Sequence, residues 1–279
     1  MYPDETRCHL EEILSHARLV SLLQPVLDLA EGRVAGYEAL SRGPSKSPLH
    51  APQTMSRVAE HRGLLAALDS ERVRTAIRAF GRLKLSGRLF VNLSAGSLLD
   101  PGFAPEALPD TLKEAGLDRS QLVFEITGNS AARDSADLIQ AASRLHAAGF
   151  EMALDERREG VSSLHLWSEL KPVYVRIGRD FIADIHQDPH RVQFVRVMRH
   201  LAEEALSCVM AEGVESPVEL VVLKDLGVRY AQGHLIGNPS PVPIRLLPRD
   251  VEACLQSHRA AGTPWHRQVT PPTDLPAGW

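Results

Sequence analysis

Hydrophobic and polar positions follow two rhythms along this chain. Residues 19 to 42 hold two extended apolar segments, Val20 to Leu29 and Val34 to Leu40, and the turn signal at Glu31-Gly32 between them predicts an antiparallel hairpin. From residue 50 onward, short apolar runs separated by longer amphipathic stretches predict strands alternating with helices around a parallel sheet. The runs are RLFVN (88–92), QLVFE (121–125), EMALD (151–155), VYVR (173–176), CVMAE (208–212) and VRYAQ (228–232). Runs so nearly continuous suit strands buried on both faces.

Between them, Asp69 to Phe80 places Val73, Ile77 and Phe80 on one helical face, and Asp134 to Ala148 predicts a helix terminated by Gly149. Ser216-Pro217-Val218-Glu219 reads as a capped helix start, with proline in the first turn and a glutamate that can return a hydrogen bond. Six runs plus the hairpin make about eight strands, and the repeat lengths match a β/α barrel in size. A doubly wound open sheet is the alternative. Residues 1–17 read as an amphipathic lead-in and 18–257 as the barrel domain, and the Pro-, Gly- and polar-rich stretch 258–279 as a flexible tail.

The 44% hydrophobic fraction supplies a sizeable core and excludes disorder as the main state. With 31 basic against 35 acidic residues and no basic stretch, duplex nucleic acid is not an expected partner. The cysteines Cys8, Cys208 and Cys254 are odd in number and widely spaced, which suits a reducing cytoplasm rather than a disulfide framework or a zinc site. No apolar stretch predicts a membrane span, and the N-terminus does not read as a secretory signal.

Almost every buried-looking run ends in a polar side chain: Glu38, Asn92, Glu125, Asp155, Arg176, Glu212 and Gln232. In a closed parallel barrel the C-terminal strand ends converge on one face. Four acids, with the amide of Asn92 among them, gathered there imply a hard divalent cation, Mg²⁺, Mn²⁺ or Ca²⁺ rather than zinc. For any one position, a helix cap or a solvated first loop residue explains the same pattern, and Asp155 is the most ambiguous. His186 and His190 have helical metal-pair spacing, but Asp188 and Pro189 between them predict a loop. Walker, dinucleotide-binding and nucleophile-elbow motifs are absent, and Cys208 reads as core.

These residues resemble the EAL domains of bacterial cyclic di-GMP signalling. The resemblance rests on Glu38-Ala39-Leu40 followed by Arg42, on Gln24-Pro25 with Asp28, and on Val91-Asn92-Leu93-Ser94. It continues through Phe124-Glu125-Ile126-Thr127, Ala211-Glu212-Gly213-Val214-Glu215 and Gln232-Gly233 with Pro239, covering roughly residues 18 to 243. It implies a modified TIM-like (β/α)8 barrel with an antiparallel strand in the opening hairpin. It also implies a phosphodiesterase that linearises cyclic di-GMP with metal-activated water, using Mg²⁺ or Mn²⁺. By motif position, Glu38, Asn92, Glu125, Asp155 and Glu156 would be metal ligands. Glu212, Arg176 and Gln232 would be catalytic or supporting, and Gln24, Leu40 and Arg42 would bind substrate.

The chain departs from that pattern. Where active members carry paired aspartates followed by Phe-Gly-Thr-Gly-Tyr-Ser-Ser, it reads Asp155-Glu156-Arg157-Arg158-Glu159-Gly160-Val161-Ser162-Ser163. One added methylene moves a carboxylate by about 1 to 1.5 Å, where catalytic geometry tolerates about 0.5 Å, so one metal site is expected to survive and the second is doubtful. A glutamate that holds this loop in the family is Gly128 here, and the Lys-Ile-Asp motif reads Arg176-Ile177-Gly178. Arginine keeps the charge but not the exchangeable proton of lysine.

The expected function is a degenerate EAL domain that binds cyclic di-GMP or a protein partner as a regulator, with hydrolysis lost or weak. The alternatives are an active phosphodiesterase and an interaction scaffold that does not bind nucleotide. A protein partner in trans and a homodimer are both compatible with the family.

Overall fold

The computed structural model describes residues 4–127, 136–155 and 164–257. Its strands are β1 (Val20–Asp28), β2 (Arg33–Arg42), β3 (Arg88–Ser94), β4 (Leu122–Thr127), β5 (Glu151–Asp155), β6 (Tyr174–Ile177), β7 (Cys208–Ala211) and β8 (Tyr230–Ala231). Each strand pairs with the next in sequence, and β8 returns to β1 to close a barrel. Closure eliminates the open-sheet alternative. β1 runs antiparallel to both β2 and β8, while β2 through β8 are parallel. Gly32, at φ +67°, sits in the hairpin turn, where a left-handed residue is needed.

The helices are α1 (Asp4–Ser15), α2 (Pro52–His61), α3 (Leu65–Arg82), α4 (Ala95–Leu99), α5 (Leu108–Ala115), α6 (Ala136–Ala147), α7 (Leu164–Leu170), α8 (Arg179–Ile182), α9 (Pro189–Glu204), α10 (Pro217–Asp225) and α11 (Arg249–Ser257). α3 starts four residues before the expected Asp69, which is buried within it. Gly149, at φ +83°, follows α6 as expected. At α10 the capping box forms: Ser216 Oγ accepts from Glu219 N at 3.3 Å, and Glu219 Oε2 accepts from Ser216 N at 3.0 Å. Ser216→Ala is expected to cost about 1 kcal/mol, read as a lowered urea midpoint with an unchanged slope.

The loop expected around Pro189 is corrected. His186 lies in a short 3-10 turn, and Pro189 opens α9 behind Asp188, whose carboxylate accepts from His190 N. Proline fits a first helical turn, where its missing N–H costs nothing. The lead-in is also more integrated than its boundary suggested. Leu10 and Ile13 of α1 are buried with Leu19, Leu49, Met55, Val58, Ala59 and Leu68. The expected tail, 258–279, lies outside the described residues.

Two hydrophobic layers position the site. The larger core fills the space between the barrel and its helices, and a smaller one fills the barrel itself with Val26, Phe90, Val123, Ala153, Tyr174 and Met210. Phe90 and Tyr174 meet edge to face at 5.1 Å, and Tyr174 meets Tyr230 at 5.4 Å. Gly36 contributes no side chain here, because a Cβ would stand 2.3 Å from Arg88 O. This apolar plug makes the barrel a floor for one mouth and not a channel.

Candidate functional site

Strand side chains alternate between faces, so the next inward-pointing position lies two residues along. Moving two residues toward the mouth from Val26, Gly36, Phe90, Val123, Ala153, Tyr174, Met210 and Tyr230 reaches Gln24, Glu38, Asn92, Glu125, Asp155, Arg176, Glu212 and Gln232. Each strand, or for β7 and β8 the residue that follows it, supplies one polar group directly above the plug. The register pairs Gln24 with Glu38, Asn92 with Glu125, and Asp155 with Arg176. These groups do not all end their strands, as the run lengths had suggested. β2, β3 and β4 continue to Arg42, Ser94 and Thr127 and raise walls above the ring.

The ring is organised by Arg176, which is 1% exposed. Its Nη2 lies 3.1 Å from Glu38 Oε2 and donates to Gln232 Oε1 at 3.0 Å. Its Nη1 pairs with Glu125 and its Nε with Glu212. Gln232 Nε2 donates to Glu38 Oε2 at 2.8 Å and to Gln24 Oε1 at 3.1 Å, and Asn92 Nδ2 donates to Glu38 Oε1 at 2.9 Å. Burial acts to lower the Arg176 pKa, but the surrounding carboxylates of Glu125, Glu212, Glu38 and Asp155 outweigh it and hold it well above its ordinary value. Stability drawn from a raised basic pKa is lost only as pH rises through the folded value, so this contribution persists throughout the working range.

Above the ring opens a cavity of about 760 Å³, within the usual range for small-ligand sites. Glu38, Asn92, Asp155, Leu40 and Arg42 line it, as the motif positions implied. Glu125, Arg176, Glu212 and Gln232 lie buried beneath. Arg176 therefore faces the acids and does not line the cavity. Gln24 is likewise turned inward, donating to Gly237 O at 3.0 Å. Glu156, Gly128 and the substituted segment 157–161 lie outside the described residues.

The cavity also has a basic wall that the motifs did not reveal: Arg57, Arg72 and Arg179 join Arg42. On α2, Gln53, Arg57 and Glu60 occupy one exposed face opposite buried Met55, Val58 and Ala59. That i, i+4, i+7 spacing was visible in sequence but looks like any solvated helix face. Arg72 ties α2 in place, donating to Ser56 Oγ at 2.9 Å and pairing with Asp69 at 2.9 Å. Asp69 in turn accepts from Ser94 Oγ at 2.8 Å and Ser97 Oγ at 2.7 Å, anchoring the end of β3. Arg179, half exposed, pairs with Glu215.

A comparison with known families settles what this barrel is: the EAL domain matches residues 7–239. The chain belongs to the EAL family. Among curated EAL relatives it is 30% identical over 239 residues to the cyclic di-GMP phosphodiesterase NbdA of Pseudomonas aeruginosa, covering 84% of this chain and 30% of NbdA. The chain spans less than half the length of the curated relatives it matches. Among solved EAL structures, Klebsiella pneumoniae BlrP1 in complex with calcium and cyclic di-GMP is 28% identical, with a TM-score of 0.74 over 82% of this chain and 58% of that one. The PaMucR phosphodiesterase with cyclic di-GMP is 27% identical, with a TM-score of 0.74 over 85% of this chain and 98% of that one. Among the described residues, no helix is long and apolar enough to cross a membrane.

EAL chemistry is metal-dependent, so the donor set must be tested for a metal. Oxygen donors of the right class are present in Glu38, Asn92, Glu125 and Asp155. Their arrangement does not fit a resident cation. Among the described residues, no three His, Cys, Asp or Glu side chains are grouped so as to hold one. The guanidinium lies among the glutamates, with one nitrogen directed at each of three.

Proposed function

We propose that this EAL domain is a cyclic di-GMP-binding regulator in which hydrolysis is lost or weak. The observation that carries the reading is the commitment of Glu38, Glu125 and Glu212 to the buried guanidinium of Arg176. Acids engaged in this way are withdrawn from activating water. The sequence changes at Glu156, Gly128 and Gly178 support the same reading, since each alters a part the family uses for turnover.

Ligand recognition falls to the cavity wall. Arginine forks match phosphate oxygens, and Arg42 and Arg57 line a space large enough for a small ligand together with Arg72 and Arg179, which also pair with Asp69 and Glu215, and with the acids Glu38, Glu60, Asp155 and Asp180. Leu40 supplies an apolar surface between them. The phosphodiester groups of a cyclic dinucleotide are the chemistry that suits this wall.

Isothermal titration of the purified chain with cyclic di-GMP tests the reading. Saturable binding is expected, and no heat of binding up to high micromolar ligand would remove it. If the altered residues cause the defect, Glu156→Asp combined with Arg176→Lys is expected to raise conversion to the linear dinucleotide above that of the unaltered chain. Chromatography of the nucleotide pool reads that outcome.

A further inference from the structure

Resting on the reading of a binding rather than a hydrolysing domain, we infer that Arg176 is a built-in cation that holds the acidic ring in place of a divalent metal. The mouth therefore neither requires nor takes up Mg²⁺ or Mn²⁺.

The argument begins with position. β6 places one inward side chain above the plug at residue 176, facing the acids that β2 and β4 contribute and the one that follows β7. Among the basic residues arginine alone carries donors on three nitrogens of one rigid plane, enough to serve three partners at once. Here Nη2 donates to Glu38, and Nη1 and Nε stand in ion pairs with Glu125 and Glu212, three glutamates from different parts of the ring. A small divalent ion would draw its ligand oxygens to about 2.0–2.1 Å around one centre, whereas two of the expected ligands, Glu38 and Glu125, are held by the guanidinium.

The neighbours close the arrangement. Glu38 spends Oε2 on Arg176 and Gln232, and Oε1 accepts from Asn92. Gln232 is braced in turn by Gln24, which is fixed to the segment after β8. At 1% exposure Arg176 is covered by this ring and does not lie along the cavity wall, so it is not poised to swing aside for an incoming ion. A permanent cation leaves the mouth assembled in every ionic condition, and ligand contacts pass to the arginines above it.

Mn²⁺ titration of the whole chain without nucleotide tests this, using calorimetry together with the electron paramagnetic resonance signal of free Mn²⁺. The unaltered chain should show no saturable site below the millimolar range. Arg176→Met and Arg176→Lys should each bind Mn²⁺ at least about tenfold more tightly. Lysine keeps the charge, so Arg176→Lys decides the matter if Arg176→Met does not fold. A micromolar Mn²⁺ site in the unaltered chain, lost in Glu38→Gln, would overturn the inference. So would variants that gain no affinity. Because nucleotide is absent, the outcome is separable from whether cyclic di-GMP binds.

Discussion

Arg176→Met is expected to destabilise the chain by about 3–5 kcal/mol, the usual cost of removing one partner from a buried ion pair. In a barrel of this size that corresponds to a fall of roughly 6–20 °C in melting temperature. Arg176 is 1% exposed and Glu125 is fully buried, so solvent offers no substitute counter-charge. The loss should be partly recovered in the double variant Arg176→Met, Glu125→Gln, which removes one of the three charges left behind. A double-mutant cycle in urea reads that coupling. A cost below about 1 kcal/mol for the single variant would mean that the acids are not organised by the guanidinium.

Arg42→Ala is expected to weaken cyclic di-GMP binding by roughly ten- to hundredfold, since a hydrogen bond to a charged group contributes about 1.5–3 kcal/mol. Arg42 sits half-buried at the end of β2, above the ring, with Nη1 donating to Ser41 O at 2.9 Å and the side chain on the cavity wall. It takes no part in the Arg176 network, so the melting temperature should stay near that of the unaltered chain. Calorimetry on the variant, with thermal unfolding as the control, separates lost contact from lost fold. Equal affinity in the two proteins would place the ligand elsewhere.

The barrel was legible because its strands are buried on both faces. The runs at 88–92, 121–125 and 151–155 announce themselves as apolar blocks, and each falls on an observed strand. The hairpin and the α10 capping box were legible for local reasons, a turn at Gly32 and a serine three residues before a glutamate. The polar ring was legible as a set, since polar residues closing successive apolar runs share one face at the C-terminal strand ends of a closed parallel barrel.

What sequence could not show was direction. Arg176 and Arg42 are both arginines of the expected site, on β6 and β2, yet one turns down into the acids and the other lines the cavity, a choice made by packing across the closed barrel. The basic wall was hidden for another reason. Arg57 lies on an ordinary polar helix face, and only the docking of α2 through Arg72 and Ser56 aims that face at the mouth.

The most direct measurement combines binding and turnover on one sample: cyclic di-GMP titrated into the chain in chelator and then in Mn²⁺, with the nucleotide recovered and chromatographed. The account predicts the same affinity in both conditions and intact cyclic dinucleotide at the end. Binding that appears only with Mn²⁺, accompanied by accumulation of the linear product, would contradict it.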